Sequence, residues 1–131
     1  MIAHVSIGVR DIDRSKRFYD AALEPLGYKC LRAARSLVGY GYGLDSIALW
    51  VFQAERPVPA DEKSGLHFCF TARDAAAVDA FHAAAIAAGG RDNGAPGLRP
   101  IYSPDYYAAF IIDPDGYRIE AYYGPAETAE P

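Results

Sequence analysis

The stretch HVSIGVRDIDRSKRFYDAALEPLG, residues 4–27, recurs without a gap as HFCFTARDAAAVDAFHAAAIAAGG, residues 67–90. Displacing the chain by 63 residues puts His4 on His67, Arg10-Asp11 on Arg73-Asp74, Phe18 on Phe81, Ala21-Ala22 on Ala84-Ala85, and Gly27 on Gly90. Each copy opens on an alternating strand. Ala3, Val5, Ile7 and Val9 fall on one face of the first, with His4, Ser6 and Gly8 on the other. Leu66, Phe68 and Phe70 fall on one face of the second, with His67, Cys69 and Thr71 on the other. A period of two with one apolar face predicts half-buried strands. A helix follows in each copy, over 11–23 behind a capping Asp11 and over the Ala-rich 74–90, and each ends at glycine.

Three strand-like pieces follow the first copy: YKCLRA (28–33), SLVGYG (36–41) and SIALWVF (46–52). The polar AERPVPADEKSG (54–65) reads as a connection. After the second copy, RDNGAPGLRPIYSPD (91–105) reads as loop-rich with room for a short strand. YYAAFIID and YRIEAYY then join through PDG as a hairpin, with Pro and Gly where a type I turn favours them. The unit is strand, helix, three strands, used twice, which predicts an α+β fold. One domain spans 1–131, with a first module at 1–53, a linker at 54–64 and a second module at 65–124. A self-similar unit that cannot close its own sheet pairs with its copy.

The bulk numbers agree with one soluble domain: 131 residues, 51% hydrophobic and 23% charged. A net charge of −4 without a basic run argues against nucleic acid and anionic membranes as partners. No apolar run is long enough to cross a bilayer. MIAHVSIGVRD lacks the basic start, apolar segment and cleavage site of a signal peptide. Cys30 and Cys69 make no disulfide framework, and a reducing cytoplasm suits two free thiols.

One carboxylate stands out. In IIDPDGYRIEAYY (111–123), Glu120 lies between apolar Ile119 and Ala121. Laying DSIALWVF (45–52) on DGYRIEAY (115–122) matches Leu49 with Ile119 and Trp50 with Glu120. Ile119 and Ala121 then face the helix, and Glu120 faces the concavity with Arg118 and Tyr122. Two pseudo-symmetric modules would turn both histidines into the same concavity. A buried carboxylate is costly unless it is paired or bound to a cation. His4, His67 and Glu120 are the donor set of a 2-His-1-carboxylate metal site with positions open to substrate. The same residues also allow two histidines that only hydrogen-bond and a Glu120 paired with Arg118. His82 takes the place of Tyr19 in the repeat and reads as a residue at the core edge. Cys69 faces the cavity two residues from His67 and reads as a small cavity liner, with a reactive thiol as the alternative.

At these residues the chain resembles the vicinal oxygen chelate superfamily of glyoxalases, extradiol dioxygenases, fosfomycin-resistance transferases and bleomycin-binding proteins. The resemblance covers nearly the whole chain and rests on HVSIGVRDIDRSKRFYDAALEPLGY, GLHFCF and DPDGYRIEAYY. It implies two βαβββ modules in tandem forming an incomplete barrel. It also implies one divalent metal ion per site (Fe, Mn, Ni or Zn) on His4, His67 and Glu120. The activity implied is that of a lyase, transferase or dioxygenase using the metal as a Lewis acid on a small substrate with adjacent oxygens. The alternative is a non-catalytic small-molecule-binding protein of the bleomycin-resistance type. Glyoxalase I has a fourth carboxylate ligand where this chain has Trp50, or Ala48 on a slipped alignment, which argues against glyoxalase I activity. Trp50, Arg99, Tyr102, Tyr107, Arg118 and Tyr122 are candidate substrate contacts, and Tyr106 lies in the same loop, 95–107. Small two-module members are commonly homodimers. Their modules close either within one chain or across two, and we favour the crossed form, with His4 of one chain sharing a metal with His67 and Glu120 of the other.

Overall fold

The computed structural model describes residues 1–43 and 46–125. Asp45, the first residue of the strand match above, lies outside them. The first sheet contains β1 (Val5–Val9), β2 (Lys29–Ala33), β3 (Leu37–Tyr42) and β4 (Ser46–Gln53), in the order β1-β4-β3-β2. The second contains β5 (His67–Thr71), β6 (Arg91–Leu98), β7 (Tyr107–Ile112) and β8 (Arg118–Tyr123), in the order β5-β8-β7-β6. Helix α1 (Ile12–Leu23) follows β1 and α2 (Ala75–Ala87) follows β5. The chain is therefore two βαβββ modules in tandem, and the two sheets do not join.

The internal repeat survives in the register. Val5 pairs with Leu49 in the parallel β1–β4 ladder, and Phe68 pairs with Ile119 in the parallel β5–β8 ladder. Ser6 beside Trp50 thus corresponds to Cys69 beside Glu120. The helices begin alike as well. The Asp11 side chain accepts from the N–H groups of Asp13 and Arg14, and that of Asp74 accepts from Ala77 N–H. These side chains satisfy backbone donors that the first helical turn leaves without partners.

The apolar faces of both modules enter one core, where Phe18 and Ala22 of α1 are buried with their repeat partners Phe81 and Ala85 of α2. The helices pack on one another. The paired glycines of the repeat do different work. Gly27 ends its module's helical segment with φ 86, a left-handed backbone. In the second module Gly89 takes that role with φ 103. Gly90 instead lies in the helix contact: a Cβ there would come 2.7 Å from Phe18 Cε1 and 2.9 Å from the Ala85 carbonyl oxygen.

A second tie joins the modules at the β7–β8 turn. Gly116 N–H donates to Asp113 O at 3.0 Å, and Gly116 has φ 99. The buried Asp113 accepts from Tyr19 Oη of α1 at 2.5 Å and from the N–H groups of Asp115 and Tyr117. Asp115 accepts from Arg10 N–H at 2.9 Å and stands 3.3 Å from the Arg14 guanidinium. Tyr117 Oη donates to Gly8 O at 2.7 Å.

The loop-rich 91–105 departs from its sequence reading, because β6 is a full strand of eight residues. Gly94, Pro96 and Gly97 are tolerated because β6 is an edge and its ladder shifts register twice, between Asp92 and Gly94 and between Gly94 and Gly97.

Two stability predictions follow from these ties. Gly90→Ala should cost roughly 1–3 kcal/mol in urea unfolding, since backbone as well as Phe18 must move. Asp113 titrates at about 6, raised chiefly by burial and opposed by the Tyr19 hydroxyl and the backbone donors. The folded state therefore holds this proton more tightly than the unfolded chain does. The resulting stabilisation is complete below about pH 4 and is lost as pH rises through about 6. Asp113→Asn should flatten that part of a stability-versus-pH curve.

Candidate functional site

The face of the second sheet turned away from α2 collects the polar and aromatic groups. The β5–β8 ladder sets His67 beside Arg118 and Cys69 beside Glu120. The β7–β8 ladder sets Phe110 beside Glu120 and Ala108 beside Tyr122. Glu120 is only 2% exposed, yet both of its oxygens have partners. His67 Nε2 lies 2.8 Å from Oε1, and Tyr106 Oη donates to Oε2 at 2.6 Å. The His67 ring stacks on Phe110 with centroids 6.1 Å apart. Tyr106 stacks on Tyr122 at 4.5 Å and meets Tyr102 at 5.1 Å.

Burial of this carboxylate is tolerable because each oxygen has a hydrogen-bond partner. The arrangement also fits a metal in part. The 2.8 Å contact needs one proton between Nε2 and Oε1. With that proton gone, Nε2 and Oε1 are two ligand atoms aimed at the same space. Two donors are fewer than a stable site requires. Among the described residues no third His, Cys, Asp or Glu joins them. His4 stands exposed one residue before β1. By strand alternation it shares the face of Ser6, and Ser6 lies beside Trp50. Trp50 leans across that face over Gly39, where a Cβ would meet Trp50 Cζ3 at 2.8 Å. The chain thus brings together His67 and Glu120 and leaves His4 and Trp50 on the first sheet.

The other candidates divide. Tyr122 lies in the site through its stack with Tyr106, and Tyr102 flanks it. Arg99 lies over Phe110, with Cζ 5.4 Å from the ring centroid. Arg118 does not pair with Glu120; its guanidinium donates to Gly116 O at 2.7 Å and reaches Ala60 O at 3.5 Å. Tyr107 leaves the site altogether. Its hydroxyl donates to Asp79 of α2 at 2.6 Å, a bond that raises its pKa. Tyr107 is the first residue of β7 and Tyr106 stands just before it, and the two side chains go to different partners, Asp79 and Glu120. His82, half-buried as expected at the core edge, bonds Asp92 at 2.9 Å, which lowers the Asp92 pKa.

Sequence reasoning missed Phe110. The signal was present, because pairing outward from the Asp113–Gly116 turn places Phe110 opposite Glu120.

Comparison with known proteins agrees with this architecture. The family model described as Glyoxalase/Bleomycin resistance protein/Dioxygenase superfamily matches residues 1–121, and the chain belongs to that superfamily. A glyoxalase/bleomycin resistance protein from Albidiferax ferrireducens is 36% identical with a TM-score of 0.79, over 95% of this chain and 99% of that one. The fosfomycin resistance protein FosX from Mesorhizobium loti shares the fold at 18% identity and TM-score 0.69, over 95% and 92% of the two chains. A glyoxalase I variant from Zea mays does so at 23% identity and TM-score 0.65, over 92% of this chain and 44% of that one. A comparison with curated proteins found no match.

Tyr106→Phe removes the hydroxyl from Glu120 Oε2 and keeps the ring. Hydrogen bonds to charged groups are worth roughly 1.5–3 kcal/mol, so a loss towards the lower end of that range is expected in denaturant unfolding, with β-sheet circular dichroism unchanged.

Proposed function

We propose that the protein is a divalent-metal-dependent enzyme whose site is completed by a second copy of the chain. The observation that carries this reading is the pair His67 Nε2 and Glu120 Oε1, 2.8 Å apart on the outer face of the second sheet. The matching face of the first sheet bears His4 and no carboxylate at Trp50. Both β1 and β5 are edge strands within the chain. Unpaired edges recruit partners, and β1 of one subunit beside β5 of the other would bring His4 of the partner subunit to His67 and Glu120. The donor set would then be two imidazoles and one carboxylate, which suits Fe, Mn, Ni or Zn with positions left for substrate.

A metal held there supplies a Lewis acid for a small substrate with two adjacent oxygens. The chain's own residues do the rest. His67 is oriented by its stack on Phe110. Glu120 is oriented by Tyr106 through Oε2, which leaves Oε1 for the ligand position. The aromatic rings of Phe110, Tyr106 and Tyr122 wall the site and exclude water from one side of a bound substrate. Tyr106 Oη, its proton donated to a carboxylate oxygen, keeps its lone pairs to accept a hydrogen bond from substrate.

Glu120→Ala should lose most of the divalent metal bound by protein purified without chelators, with the fold unchanged by circular dichroism. Equal metal content in variant and parent would sink the site. Mixing tests the crossed geometry. When His4→Ala and Glu120→Ala chains exchange subunits, one site of the heterodimer regains all three ligands and the other lacks two. Metal binding therefore returns on mixing, whereas sites closed within one chain stay broken. A monomer at micromolar concentration by light scattering rules out the shared site. Screening dicarbonyl, catechol and epoxide substrates with each metal restored then identifies the reaction.

A further inference from the structure

We infer that Arg99 is an anion-binding residue of this site, so that the substrate carries a carboxylate or phosphate-like group at the end away from its paired oxygens. The inference rests on the metal-site reading for that other end, and on separate observations for its own.

Arg99 follows the last residue of β6, and its N–H donates to Tyr106 O at 2.7 Å. That bond closes the 99–106 loop at its base, so the loop that presents Tyr106 to Glu120 also presents Arg99. The guanidinium folds back over β6. Nη1 donates to Gly97 O at 2.9 Å, and Nη2 donates to Ala95 O at 2.6 Å. Its bed is made by absence of side chains, since a Cβ at Gly94 or Gly97 would come 3.2 Å from the guanidinium nitrogens. Phe110 lies beside it, with the His67 ring on the same phenyl group.

The partners of this cation are neutral. Among the described residues no carboxylate stands within ion-pair distance of Arg99. A guanidinium has five N–H donors in a rigid fork, and two backbone carbonyls leave donors over for a bidentate acceptor. Held in place before ligand arrives, it loses little side-chain entropy on binding. A half-buried, pre-positioned cation without counter-charge, one phenyl ring away from the ligand pair, has the chemistry of a carboxylate or phosphoryl subsite.

The test uses metal-free protein, so that it does not depend on turnover. Benzoate, phenylphosphonate and neutral benzamide are titrated while ligand binding is followed by NMR. The parent should bind at least one anion about tenfold more tightly than benzamide, and the tighter of the two identifies the acid class. Arg99→Gln should abolish that preference and leave benzamide unchanged. Arg99→Lys, a point charge without the fork, should retain binding with a several-fold loss, and it serves if the Gln variant does not fold. Unchanged anion affinity in both variants overturns the inference, as does a parent that prefers neither anion to benzamide. Arg99→Gln, assayed separately with metal restored, should bind divalent metal as the parent does, which separates failure of this subsite from failure of the metal site.

Discussion

The contact of α1 with α2 is the constraint on which the rest depends. Each sheet has one apolar face and one helix to cover it, and the two covered faces share a single core around Phe18 and Phe81. The helices can approach this closely because Gly90 leaves room for the Phe18 ring. Burying one phenyl side chain contributes roughly 2–3 kcal/mol, and here one such ring serves both modules. With the apolar faces committed to that core, the opposite face of each sheet is left to carry polar groups. His4 and Trp50 belong to one such face, and His67 and Glu120 to the other.

The turn at Asp113–Gly116 fixes the modules in a second place, and by a different force. Its carboxylates accept from Tyr19, from Arg10 N–H and from backbone donors of the turn itself, and Arg14 stands beside Asp115. The turn also sets the register of β7 on β8, and that register puts Phe110 beside Glu120. The group that clasps the modules therefore also builds the wall of the site. A shift of one residue in the hairpin would turn Glu120 into the core and Ile119 out of it.

The loop between β6 and β7 joins the carboxylate to the space beside Phe110. It supplies Tyr106 to the carboxylate and Arg99 to the space beside Phe110, and one backbone bond joins their positions. The framework is shared with the relatives, whereas in our proposal these two side chains decide what lies in the site. Membership in the superfamily defines the architecture, and in our proposal the loop carries the selectivity.

By itself the sequence determined the repeat, and with it the order of elements, the faces of β1 and β5 and the inward position of Glu120. These follow from periods of two and of about 3.6 residues, which a chain carries locally. The β7–β8 hairpin was equally legible, because Pro114 and Gly116 act on their own backbone. Strand β6 was not legible, since its glycines and proline are local turn signals overruled by pairing with the exposed edge of β7. Nor could the sequence separate Tyr106 from Tyr107, because which of two neighbours faces the cavity depends on where the strand begins. Only the tertiary structure decided that Arg118 turns to the Gly116 and Ala60 carbonyls and away from Glu120, and that His4 stands apart from His67. The physical reason is the same in each case: side chains choose among partners brought from distant parts of the chain, and no local pattern records which partner arrives.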